Sequence, residues 1–215
     1  MLVLAIHTAG PACDIALLRD TDLLGEQREA MARGQDARLP GLVENLLNDA
    51  KVELAQIDRF AVITGPGSFT GIRVGVAFAR GLALAVDKPC IGVTSMEAAL
   101  PGGQQGSAMV ALPAQKRPPD VTFWTQTFRT GSATGLPRET RVEDLLDLLR
   151  ERPHMLYGEV PALEPFFDPG LIHAAMPTAR HAARVAMTLD PEERPAHPTY
   201  VRAPDAALPK VRPEA

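Results

Sequence analysis

The chain has 215 residues, 46% of them hydrophobic and 22% charged, with a formal net charge of −4. That length suits one domain of two lobes or two small domains, and the balance is that of an ordinary globular protein. The small negative charge, without any continuous basic run, excludes tight nucleic-acid binding by this chain acting alone.

Residues 2–6 (LVLAI) predict a short strand ending in the turn His7-Thr8-Ala9-Gly10-Pro11. No basic leader precedes this run, which is too short for a signal peptide, so a cytoplasmic protein is expected. Strands at 13–18 and 23–28, joined by a turn at 19–22, complete an antiparallel meander. Asp14, Asp20 and Asp22 read as solvated turn carboxylates. Gly34-Gln35-Asp36 opens a helix over 39–50, in which Leu39, Leu42, Val43, Leu46, Leu47 and Ala50 share a stripe and Glu44, Asn45, Asn48 and Asp49 face away.

The most informative stretch is 60–86, FAVITGPGSFTGIRVGVAFARGLALAV. It predicts a buried strand at 60–64, a Gly65-Pro66-Gly67 turn and a helix from about Ser68 to Val86, roughly 28 Å long and capped by the Ser68 hydroxyl. At 100° per residue, Gly71, Gly75, Phe78 and Leu82 share a side suited to close approach to a sheet. Ile72, Ala79 and Ala83 form a smooth flank for another helix. The third side carries Phe69, Arg73, Val76, Ala77, Arg80 and Leu84, a mixture of large apolar groups and arginines that reads as a partner interface. Two arginines also argue against a membrane span. The turn is neither a Walker A loop, because no Gly-Lys-Ser/Thr follows, nor a dinucleotide fingerprint, because the third glycine falls one place late at Gly71.

After Asp87-Lys88-Pro89, a strand at 90–93 leads to a short helix at 95–99. The order of elements gives a mixed five-stranded sheet with helices packed on it. Residues 101–107 read as a linker between lobes at 1–100 and 101–215, and composition changes across it: residues 1–100 hold 4 prolines and residues 101–215 hold 16. The second half predicts strands at 108–112, 121–128 and 154–157, a turn at 116–120, and helices at 142–149 and 178–189. From Asp190 the chain reads as mostly irregular, with the last ten residues expected to be disordered.

Catalytic motifs are absent. There is no HExxH, EF-hand or zinc-knuckle spacing, and the five histidines (His7, His154, His173, His181, His197) are scattered. Ser68 lacks a G-x-S-x-G elbow. Cys13 and Cys90 form no CxxC and read as buried thiols of a reducing compartment, with their pairing left open.

The run ITGPGSFTGIRVGVAFARGLALA resembles the TsaB (YeaZ) family, with support from VLAIHTAGPACDIALLRD at 3–20, the Leu39-Pro40 helix, GVTSMEAA at 92–99 and Pro198-Thr199-Tyr200-Val201-Arg202. The resemblance implies an actin/hexokinase/Hsp70-like (ribonuclease H-like) α/β fold of two lobes, the second reduced. It implies a non-catalytic scaffold subunit, without cofactor or metal, of the assembly that makes threonylcarbamoyladenosine at position 37 of tRNAs reading ANN codons. The implied partners are TsaD, the transferase, and TsaE, a small ATPase. Pairing with TsaD would use the first-lobe helices through Leu39, Leu42, Val43, Leu46, Phe69, Arg73, Val76, Ala77, Arg80 and Leu84. A homodimer in the absence of TsaD, and tRNA contact only through the complex, complete that picture. In this superfamily an aspartate ends the first strand, where this chain has His7, and another opens the second lobe, where it has Pro113-Ala114-Gln115. TsaD's metal-binding histidine pair has no counterpart between His7 and His154. These replacements weigh against the alternative of a small ATP-dependent phosphotransferase, and against a metallopeptidase.

Overall fold

The computed structural model describes residues 1–31, 33–115, 121–151 and 154–201. The meander forms as its apolar runs and tight turns predict: β1 (Leu2–His7) pairs antiparallel with β2 (Ala12–Arg19), and β2 with β3 (Asp22–Ala30). α1 (Gln35–Ala50) then crosses to β4 (Arg59–Gly65), which lies parallel to β1, and α2 (Phe69–Ala85) crosses to β5 (Cys90–Thr94), parallel to β4. The sheet order is β3-β2-β1-β4-β5. Every residue of β1 is buried, as expected of a strand covered on both faces.

α3 (Ser95–Ala99) is entirely buried and joins the two lobes. Ala98 belongs to the core of the first sheet, whereas Met96 and Ala99 belong to a cluster shared with Ala108, Val110, Leu112 and Phe128 of the second. β6 (Ser107–Gln115), β7 (Thr122–Arg129), β8 (Ser132–Ala133) and β9 (Arg138–Arg141) follow, then α4 (Val142–Glu151), β10 (Met155–Gly158), α5 (Val160–Leu163) and β11 (Ile172–Ala174). The second sheet runs β11-β10-β6-β7-β8, with β9 also on β7. The short elements β8, β9, α5 and β11 carry too few residues for a periodicity to show, and sequence reading missed them. The expected turn at 116–120 and the expected disorder of the last ten residues lie outside the described residues.

α6 (Ala179–Ala186) is shorter than the expected 178–189 helix, with Thr178 as its N-cap: the Thr178 hydroxyl accepts the His181 N–H at 3.1 Å. Its alanines 179, 182, 183 and 186 have no exposed surface and pack into the first core, beside β1, β2 and β4. Residue 100 therefore separates the two sheets but not the two cores, because the chain returns to the first lobe after building the second. Among the described residues, no helix is long and apolar enough to cross a membrane.

Candidate functional site

α2 is fixed at its N-terminus by the turn before it. Gly65 has φ +113°, a conformation that side chains resist. The Ser68 hydroxyl accepts the Gly71 N–H at 3.2 Å, and the Thr8 hydroxyl donates to the Gly71 carbonyl at 2.6 Å. The helix is thereby clamped to the loop after β1.

This clamp sets the rotation of α2 and corrects the expected faces. Its deepest line is Ile72, Gly75, Val76, Ala79 and Ala83, while Phe78 and Leu82 lie half-buried at the margin of the core. Ile72, Ala79 and Ala83, expected to meet another helix, lie in the first-lobe core together with the α1 stripe, and α1 does pack on α2. Val76, 4% exposed, is likewise a core residue, at the base of the helix's outer face. Leu39, Leu42, Val43 and Leu46 of α1 are core residues too, and their stripe lies on β2 and β3. The core of the lobe holds these five side chains, and of them Val76 also borders the groove beside α2. Of the ten expected interface residues, Arg73, Ala77, Arg80 and Leu84 are exposed and Phe69 is half-buried. Leu84 is 84% exposed, an unusual position for a leucine on a helix packed against a sheet.

A groove of about 700 Å³ runs beside this face, with Arg73, Arg80, Lys88, Leu84 and Tyr200 in its walls and Val76 and Ala83 at its floor. Tyr200 arrives from the C-terminal segment: its ring lies 5.1 Å from that of Phe69, and its hydroxyl accepts the Arg73 Nε–H at 3.0 Å. The Arg73 guanidinium stands 3.8 Å from the Phe69 ring centroid, a cation–π contact. Thr199 and Tyr200 stand out in the sequence only through the family resemblance, and no local signal ties Tyr200 to Arg73, 127 positions earlier.

The second concavity is the cleft between the lobes, about 480 Å³, lined by His7, Arg28, Ser68, Ser95, Pro113, Trp124 and Glu159 among others. His7, Asp14 and Arg28 are register partners across β1, β2 and β3, and so share one face of the sheet. Burial, with a smaller contribution from Arg28, lowers His7 to about 3, so its imidazole is neutral at physiological pH. Its Nδ1 has no hydrogen-bond partner. Asp14 is not the solvated turn residue expected. It is 5% exposed, its carboxylate accepts the Ala179 N–H at 3.0 Å at the start of α6, and Arg28 lies 3.7 Å away. Burial raises its pKa against the opposing effects of that hydrogen bond and Arg28.

A magnesium-bound phosphate does not fit these residues. A neutral imidazole and a proline stand where the resemblance implies acids, Asp14 beside His7 in the sheet is committed to a backbone amide, and Glu159 is the one carboxylate among the described lining residues of the cleft. Among the described residues, no three His, Cys, Asp or Glu side chains gather as a metal ion would require. Cys13 and Cys90 are free thiols, pushed up by burial to about 11 and about 12, and are poor nucleophiles.

The role of Asp14 makes a stability prediction. Asp14→Ala leaves the Ala179 N–H without a partner and should cost about 2 kcal/mol. Asp14→Asn keeps an acceptor without a buried charge and should melt at or above the wild-type temperature. Thermal unfolding of the two variants side by side checks this.

A meander joined to βαβ crossovers, facing a six-stranded second sheet across a cleft, places the chain in the actin/hexokinase-like two-lobed class. The model of the family TsaD: tRNA N6-adenosine threonylcarbamoyltransferase matches residues 28–114, from β3 to β6. The chain is 32% identical over 161 residues to the tRNA threonylcarbamoyladenosine biosynthesis protein TsaB of Escherichia coli, covering 74% of this chain and 69% of that one. It is 29% identical over 167 residues to the Bacillus subtilis protein of the same name, covering 76% and 73%. A solved Pseudomonas aeruginosa structure, described as similar to peptidase YeaZ, superposes with a TM-score of 0.72 at 24% identity, over 94% of this chain and 99% of that one. The chain belongs to the TsaB family.

Proposed function

We propose that this chain is a non-catalytic, cytoplasmic scaffold subunit of the assembly that forms N6-threonylcarbamoyladenosine at position 37 of tRNAs reading ANN codons. It pairs with TsaD through the outer face of α2, and TsaE joins the pair. The observation that carries this reading is the exposed Arg73–Ala77–Arg80–Leu84 face on a helix that the TsaD family model also matches. Related helices on two proteins can meet about a pseudo-twofold axis, each offering the equivalent surface. His7 and Pro113 support the non-catalytic part, since neither supplies the carboxylate oxygen that a magnesium-bound phosphate site uses. The same lack of ligands and of an activated nucleophile disfavours peptidase chemistry.

Arg80→Glu reverses a charge on the outer face without touching the core. It should weaken co-elution with the TsaD of the same organism by about tenfold or more. Its stability should stay within about 0.5 kcal/mol of wild type, as for other surface substitutions. Undiminished co-elution would remove this face from the interface. Calorimetry of the isolated chain with Mg-ATP tests the rest: micromolar binding with turnover would replace the scaffold by a phosphotransferase.

A further inference from the structure

After α6 the chain does not leave the molecule but straps the first lobe. Arg59 donates to the carbonyls of Ala186 and, at 2.9 Å, Leu189. Arg194 pairs with the buried Glu97 at 2.6 Å, and its carbonyl accepts the Gly92 N–H of β5 at 2.9 Å. Pro195 bridges to Ile91, so the strap covers the edge strand of the sheet. Thr199 then donates its N–H to the Thr64 carbonyl at 2.8 Å, and Tyr200 lands on Phe69 and Arg73. Four separate anchors thus deliver Pro198 and Tyr200 to one wall of the α2 groove.

The groove's charge runs against that of the chain. Among the described residues its walls hold Arg73, Arg80 and Lys88 and no carboxylate, on a protein of net charge −4. Neither Arg80 nor Lys88 has an ion-pair partner among the described residues. Arg73 is held by the Tyr200 hydroxyl through Nε, which leaves its terminal nitrogens to meet an incoming carboxylate. Between these cations lie the exposed Leu84 and the apolar floor.

We propose that this groove is a composite docking surface, one wall from α2 and the other from the C-terminal strap, and that its partner presents a helix with carboxylates flanking an apolar side chain. This rests on the function proposed above and specifies the chemistry of the partner's surface. A second copy of the chain is the poorer occupant, because a twofold contact centred on the groove sets Arg80 and Lys88 of each copy against those of the other.

The experiment measures binding of the organism's TsaD to the full-length chain and to Tyr200→Ala, Tyr200→Phe and Lys88→Glu, at low and high salt, with melting temperatures in parallel. Tyr200→Ala and Lys88→Glu should each weaken binding by about tenfold while melting near wild type. Tyr200→Phe, which keeps the ring and frees Arg73, should fall between, and raising the salt should weaken the wild-type complex. Wild-type binding that none of these changes moves would overturn the composite groove and leave the proposed function standing. A wild-type chain that forms no complex with TsaD would overturn the proposed function and the groove's assignment with it. A homodimer of the chain alone that these substitutions dissolve would overturn the choice of occupant.

Discussion

Gly71→Ala is expected to destabilise the protein by about 3 kcal/mol and to be recovered mostly unfolded or aggregated. A Cβ at this position would collide with the carbonyl oxygen of Thr8, and one at Gly75 with the Thr8 hydroxyl. Neither atom can retreat, because Thr8 is buried and its hydroxyl is bonded to the Gly71 carbonyl. The helix would have to lift from the sheet and uncover Ile72, Val76 and Ala79. Gly81→Ala is the internal control. It lies on the exposed side of the same helix with nothing within 4 Å of an added Cβ, so it should gain up to about 1 kcal/mol through helix propensity. Equal effects in chemical denaturation at the two sites would show that close approach to Thr8 does not govern α2.

Acid should unfold this protein largely through His7. Its pKa is about 3 in the fold against an ordinary 6.5, so the folded state binds fewer protons than the unfolded chain in between. The stability linked to neutral His7 is therefore fully present above pH 6.5 and is lost as pH falls from there toward 3. The loss amounts to about 5 kcal/mol over the whole window. His181, also held low chiefly by burial, adds a contribution of the same sign. Asp14 acts oppositely: burial raises its pKa, so protonating it at low pH relieves a penalty instead of adding one. His7→Leu removes the titrating group together with its unpaired Nδ1, and should flatten the stability profile between pH 6.5 and 4 while leaving stability at pH 8 nearly unchanged. Urea midpoints across that range measure it, and an unchanged acid slope would dismiss His7 as the sensor. His7→Asp, which restores the superfamily's acid, should destabilise instead, because it sets a second carboxylate opposite Asp14.

Much of the first lobe was legible because its signals are local. The meander shows in short apolar runs separated by tight turns, α1 in a clean stripe, and α2 in a capping serine beside a glycine turn. The same periodicity misjudged α2's rotation. A helix that is apolar nearly all round offers several plausible buried sides, and Val76 lies between two of them. Asp14 misled for a related reason: a carboxylate beside a turn reads as solvated unless one knows that the start of α6, 165 residues later, comes to meet it.

The sequence by itself determined the order of elements through residue 100, the glycine-tolerant helix, the family, and the loss of both superfamily acids at His7 and Pro113. Each is written in neighbouring residues or in a position along a known pattern. Only the tertiary structure decided which side of α2 is buried, that α6 returns to the first core, and that the C-terminal strap brings Tyr200 onto Arg73. The physical reason is that those facts depend on contacts between residues far apart in the chain. Such contacts are set by packing and hydrogen bonding across the whole fold, which no local window of sequence contains.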